Sequence, residues 1–177
     1  TVSGLPSNQV YDVVETSDGT IWAATKGGLA WYDTFRWHLM DRSKGLPEKK
    51  PERLVAGFNG TLLLILNDTL YLGDRQGFVP IYPKFESNED DNAQSAVPLE
   101  NGELLIGAAK SLYLYKHGVI KSFPMPSKIL TDKGLNLWKT KSKKIWLNTI
   151  DGMYQLSGKK WVLKLPRKTS AFGVEAI

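Results

Sequence analysis

The hexapeptide Ser17-Asp18-Gly19-Thr20-Ile21-Trp22 returns as Phe58-Asn59-Gly60-Thr61-Leu62-Leu63 and as Glu100-Asn101-Gly102-Glu103-Leu104-Leu105. A degraded copy, Ser142-Lys143-Lys144-Ile145-Trp146, follows, with Lys143 in the glycine place. The closing residues Trp22, Leu63, Leu105 and Trp146 are 41, 42 and 41 positions apart. A period of this length constrains the fold strongly. One supersecondary unit of about 40 residues cannot bury both its faces alone, so its copies must stack on one another.

The register extends on both sides of the seed. Seven residues after each closing position stand Leu29, Leu70, Leu112 and Met153, each opening a short aromatic-bearing strand. Upstream lie the apolar stretches Val10 to Val14, Leu54 to Ala56, Ala96 to Leu99 and Leu135 to Trp138. A less regular stretch closes each unit: Phe35 to Leu39, Phe78 to Tyr82, Val119 to Phe123 and Trp161 to Leu165. Each unit therefore reads as four strands. Asp-Gly and Asn-Gly supply positive φ for two-residue hairpin turns, and Gly27-Gly28 and Asp151-Gly152 serve the next turn. No segment sustains a 3.6-residue period with caps, so helix is not expected.

Four-stranded repeats of this length predict the blades of an all-β propeller. The units span about 4–45, 46–90, 91–130 and 131–168, with 169–177 as the first strand of a next blade. The chain opens on Thr1 without Met and closes on Val174-Glu175-Ala176-Ile177. It is read as a piece of a larger propeller of about seven blades, with two open flanks that favour self-association as a dimer.

Composition narrows the chemistry. Among 177 residues there is no Cys and there are two His, His38 and His117, which excludes disulfides and thiolate chemistry and leaves little for a zinc site. No apolar run approaches the length of a membrane span, so no membrane contact is expected within the chain. The net charge of +5 divides unevenly, at −5 up to residue 115 and +10 from Lys116 onward. The cations there are nearly all Lys, and most aromatics sit at strand-core spacing. Nucleic acid is therefore not expected. Asymmetry of this kind can mark an anionic partner, but lysines that keep outward strand positions soluble and blunt sheet edges account for it more simply.

The first unit carries the most specific pattern: Gly4-Leu5-Pro6-Ser7-Asn8-Gln9-Val10, then Asp18-Gly19-Thr20-Ile21-Trp22, then Gly28-Leu29 to Tyr32-Asp33. A second Gly-Leu-Pro, Gly45-Leu46-Pro47, stands in phase before the second unit. This resembles the two-component regulator propeller repeat. The resemblance covers the chain by spacing and about a fifth of it by strict motif. It implies a ligand-sensing propeller outside the cytoplasmic membrane, as in hybrid sensor histidine kinases of gut Bacteroidetes. There, propellers precede a β-sandwich, a membrane span and a kinase, and oligosaccharides are frequent signals. No cofactor or metal is implied.

The motif residues themselves are read as structural. Gly19, Gly60 and Gly102 turn hairpins, and Trp22 and Trp146 stand where a large ring packs between blades. In propellers the loops entering the first strand and those joining the second strand to the third share one face, the usual binding face. Here they contain Asn8, Gln9 and Lys26, then Asn67, Lys110, Asn148 and Asp151, with Ser7, Asp68 and Ser111 beside them. These types hydrogen-bond sugars. Turns also favour Asn, Asp and Ser for backbone reasons alone. The patch Phe35-Arg36-Trp37-His38 is placed on an outer strand as an interaction edge or a charge-protected one.

Catalytic motifs fail. There is no Gly-x-Ser-x-Gly elbow. Gly152 to Lys160 misspaces a phosphate loop and lacks its Ser/Thr. The acidic run Ser87-Asn88-Glu89-Asp90-Asp91-Asn92 has Ala93 and Leu99 where a calcium loop needs Gly and Glu. A protein-interaction propeller, and a propeller-fold lyase or glycosidase similar at repeat level to streptogramin lyases, stand as alternatives to the sensor.

Overall fold

The computed structural model describes residues 4–48, 51, 53–66, 69–81, 93–126 and 135–167. Asn67, Asp68, the acidic run 87–92 and the fifth-blade strand 169–177 lie outside the described residues.

Four antiparallel four-stranded sheets follow one another, each built from strands consecutive in the chain. The first holds β1 (Val10–Glu15), β2 (Ile21–Thr25), β3 (Gly28–Tyr32) and β4 (Trp37–Leu39). The second holds β5 (Arg53–Ala56), β6 (Leu62–Ile65), β7 (Leu70–Asp74) and β8 (Gly77–Ile81). The third holds β9 (Ala93–Pro98), β10 (Leu104–Ala108), β11 (Leu112–Lys116) and β12 (Val119–Phe123). The fourth holds β13 (Asn136–Lys139), β14 (Ile145–Asn148), β15 (Gly152–Ser157) and β16 (Lys160–Pro166). The helical segments among the described residues are single 3-10 turns, Arg42–Lys44 and Glu100–Gly102. The first strands β1, β5, β9 and β13 neighbour one another in that order, as around a propeller axis.

Each seam between sheets has its own core. Trp22, Leu29, Leu54, Leu62, Leu64 and Phe78 fill the first seam. Leu63, Ile65, Leu104, Ile106 and Tyr113 fill the second. Leu105, Leu112, Leu135, Leu147 and Tyr154 fill the third. Alternate residues of one strand thus feed opposite seams, as the period-2 pleat requires. β6 and β10, flanked on both sides, are buried throughout, which explains their unbroken apolar runs.

Polar side chains also stitch the first strands together. Asp12 Oδ2 accepts from the Leu54 amide at 2.8 Å. Arg53, 41 residues on, donates from its guanidinium to the Gln94 carbonyl. Ser95, 42 further, donates to the Leu135 carbonyl and accepts from the Leu137 amide at 2.9 Å. Gly107 makes room for that join, because a Cβ there would come 2.6 Å from the Leu135 oxygen and 2.7 Å from Ser95 Oγ. Asn136 holds the same repeat position in the fourth sheet.

The seed turns differ in detail from the expectation. Only Asn59-Gly60 is a two-residue turn with both residues at positive φ, 47° and 82°. At Thr16 to Gly19 the Gly19 amide donates to the Thr16 carbonyl at 2.9 Å, and Gly19 alone is left-handed. This is a type I turn closed by a left-handed residue, the usual three-residue hairpin. Asp18 fixes it, accepting from Thr16 Oγ1 at 2.6 Å and Thr20 Oγ1 at 2.9 Å. The bond from Thr16 chiefly holds the Asp18 carboxyl below its ordinary range. Phe35 and Arg36 lie in the β3–β4 turn, so the strand proper starts at Trp37.

Candidate ligand face

Strand order sorts the turns onto two faces. The β1–β2 and β3–β4 turns and their counterparts lie on one. The β2–β3 turns and the loops entering each first strand lie on the other, called here the mouth face. Every described candidate from the sequence falls on the mouth face. Asn8, Gln9 and Lys26 meet at the first sheet, where the Lys26 amide donates to the Gln9 carbonyl at 2.9 Å. Lys110 stands in the β10–β11 turn and is exposed, as are Asn8, Gln9, Lys26, Asn148 and Asp151. Asn148 ends β14, beside the turn that contains Asp151.

Asp151 is committed within its own turn. Its carboxylate accepts from Thr149 Oγ1 at 2.5 Å and from the Tyr154 hydroxyl at 2.6 Å. Burial pushes that carboxyl upward, but the two hydroxyl bonds outweigh it and the net shift is downward. Its backbone carbonyl also receives the Arg167 amide at 2.8 Å. Thr25 plays the same turn role in the first sheet, donating to the Gly28 carbonyl at 2.8 Å as Thr149 does to Gly152.

A concavity on this face lies at the seam of the first two sheets and was not legible as a site. It has a volume of about 400 Å³, with Leu29, Leu39, Met40, Leu46 and Pro47 as apolar walls and Asp41, Arg42 and Glu48 at the rim. Its one available signal was the long link from β4 to β5, which holds Gly45-Leu46-Pro47. Asp41 accepts from the Ser43 amide at 2.9 Å, and this bond chiefly lowers its carboxyl pKa. Arg42 is exposed and has no recorded partner among the described residues. Apolar walls with a few charged groups at the rim form the usual outline of a small-molecule site.

The structural residues divide. Trp22 is 1% exposed in the first seam. Trp146 is half-buried, with its ring parallel to Trp138 at 6.4 Å, and no described sheet covers it. Gly19, Gly60 and Gly102 all have positive φ. Both histidines lie away from the mouth face. His117 is in the β11–β12 turn. His38 Nε2 meets Asp33 Oδ2 at 2.6 Å and its ring stacks on Trp31 at 4.3 Å. Asp33 also accepts from the Arg36 and Phe35 amides, and the Arg36 bond does most to hold its carboxyl far below the ordinary range.

Residues 4–27 match the model of the two component regulator propeller. No curated protein matches the chain. Among solved structures, the chain resembles the extracellular domain of a B. thetaiotaomicron protein described both as a one component and as a hybrid two component system. The identity is 19% and the TM-score 0.65, over 95% of this chain and 23% of that one. A second such domain from the same organism gives 17% and 0.58, over 92% and 23%. A catalytically inactive virginiamycin B lyase from Staphylococcus aureus gives 12% and 0.68, over 93% and 59%. The chain thus spans under a quarter of the length of the extracellular domains it resembles. It is a β-propeller segment of four blades, the fold the repeat predicted.

Proposed function

We propose that this chain is part of an extracytoplasmic, ligand-sensing propeller of a two-component sensor histidine kinase, and that it takes an oligosaccharide on its mouth face. The match of residues 4–27 to the regulator propeller carries this reading. The similarity in fold to extracellular domains of two-component systems supports it. The blades themselves do no chemistry in this reading. Ligand favours one arrangement of a dimer over another, and shifts it by no more than its differential affinity for the two.

The lyase likeness is one of fold. His38 and His117 lie away from the mouth face, and of the carboxylates on it Asp151 is committed to Thr149 and Tyr154 and Asp41 accepts from the Ser43 amide. Titration calorimetry of the intact sensor against a panel of neutral and acidic glycan fragments tests the proposal. One fragment class should bind, and Gln9→Ala with Arg42→Ala should weaken it about tenfold while the unfolding midpoint holds. Silence across the panel, with a protein ligand found instead, would favour an interaction propeller.

A further inference from the structure

The positive charge of the last third does not lie where edge protection would put it. Lys141, Lys143 and Lys144 sit in the β13–β14 connection, and Lys159 and Lys160 at the β15–β16 turn. Strand order brings both turns to the face opposite the mouth. Lysines that blunt an edge belong along the outer strand. Of the described cations from residue 116 onward, only Lys121 and Lys164 stand within an outer strand, and Lys160 opens one at the turn.

Few acids answer this cluster. Glu100 pairs with Lys143 at 3.5 Å, and Lys139 Nζ donates to the Pro98 carbonyl at 3.0 Å. The ammonium groups of Lys141, Lys144, Lys159 and Lys160 meet no carboxylate among the described residues. The cluster borders a groove of about 340 Å³ with an aliphatic floor of Leu99, Ile145 and Leu156 and with Lys139, Lys143 and Lys144 along its rim.

We propose that this groove is a docking surface for an acidic, aliphatic segment of a partner protein. The chemistry of the lining selects that occupant. Ammonium groups donate and cannot accept, the rim carboxylate of Glu100 is already paired with Lys143, and the Gln155 amide is the one further side-chain acceptor lining the groove. A sugar needs acceptors for its hydroxyls and commonly an aromatic face, and no aromatic ring lines this groove. A bilayer surface is held by apolar residues inserted beside the cations. The turn tips, Thr140-Lys141-Ser142-Lys143-Lys144 and Gly158-Lys159, contain none. Leu, Ile or Val side chains on the floor and Asp or Glu against the rim satisfy both parts of the surface. The site is separate from the mouth face and stands whether or not that face takes a glycan.

Fluorescence anisotropy of the full chain tests the assignment. The probe is a labelled peptide of about twelve residues alternating Glu and Leu, and the comparisons are its Gln/Leu counterpart, oligogalacturonate and phosphatidylglycerol vesicles. The Glu/Leu peptide should bind. Lys144→Glu with Lys159→Glu should weaken it at least about tenfold, as should raising the salt severalfold. Lys121→Glu, on β12, should leave it unchanged. Lys141→Gln with Lys159→Gln is a milder variant for use should the charge reversal disturb folding, and it should weaken binding severalfold at an unchanged unfolding midpoint. Equal binding of the Gln/Leu peptide, indifference to both double variants, or tighter binding of oligogalacturonate or vesicles would each overturn the proposal.

Discussion

Trp22, in the first sheet, is 1% exposed and meets Phe78 of the second sheet edge-on at 6.0 Å. Trp146 holds the same repeat position in the fourth sheet, yet it is half-buried and lies parallel to its own neighbour Trp138. Between them, Leu63 and Leu105 occupy that position fully buried, each in the seam with the following sheet. The residue type is therefore not what buries the side chain. A blade face becomes core only when the next blade stands on it, and the fourth sheet shows what such a face looks like uncovered.

Substitution should expose this difference most sharply. Trp22→Ala removes a fully enclosed ring and should destabilise the chain by about 3–5 kcal/mol. Trp146→Ala should cost about 1 kcal/mol, since much of the ring already meets solvent. Urea unfolding of both variants checks the gap, and equal losses would mean that the open flank of the fourth sheet is covered in solution. Trp22→Phe should cost less than Trp22→Ala for a second reason. The Trp22 Nε1 hydrogen is buried with no acceptor among the described residues, and the leucines at that position in the middle sheets bring no such group.

The same contrast runs along the axis. Ser95 is 8% exposed and serves two backbone groups of the fourth sheet, whereas the side chain of Asn136, one repeat later, makes no such bond among the described residues. Ser95→Ala leaves the Leu137 amide and the Leu135 carbonyl short of a partner inside the seam. It should cost about 1–3 kcal/mol in chemical denaturation. Asn136→Ala should stay within about 0.5 kcal/mol. A comparable loss from Asn136→Ala would show that its amide, too, joins a neighbouring strand.

These cross-seam bonds mark the limit of what the repeat made legible. The spacing of Trp22, Leu63, Leu105 and Trp146 was enough to place the strands, sheets and seams, because apolar periodicity is what stacked blades require. Asp12, Arg53 and Ser95 escaped notice because an acid, a base and a hydroxyl meet the same need, a partner for the next strand's backbone, and so share no residue class. The ligand face was legible only as a face. Which turn residues are free for a ligand depends on bonds such as those from Thr149 and Tyr154 to Asp151, and these cross-links leave no sequence signature beyond ordinary turn composition. The basic cluster was visible as charge. Its concentration on one face emerges only when Lys141 to Lys144 and Lys159 to Lys160 are assigned to turns at the same end of one sheet.

The smallest expected effect tests the turn geometry shared by the first and fourth sheets. Lys143 has φ 61° where Gly19 has 80°, and its amide donates to the Thr140 carbonyl at 2.9 Å as that of Gly19 does to Thr16. A left-handed backbone costs a residue with a Cβ about 1 kcal/mol or more, and glycine almost nothing. Lys143→Gly also removes the pairing with Glu100 at 3.5 Å, in which both side chains are largely exposed. Such pairs contribute about 0–0.5 kcal/mol, less than the relief of the backbone. Lys143→Gly should therefore stabilise the chain by about 0.5 kcal/mol, seen as a raised urea midpoint at unchanged slope. Gly19→Ala, whose Cβ would meet nothing within 4 Å, should lower it through the backbone alone. A destabilising Lys143→Gly would mean that the lysine contributes more to the turn than the strain it introduces.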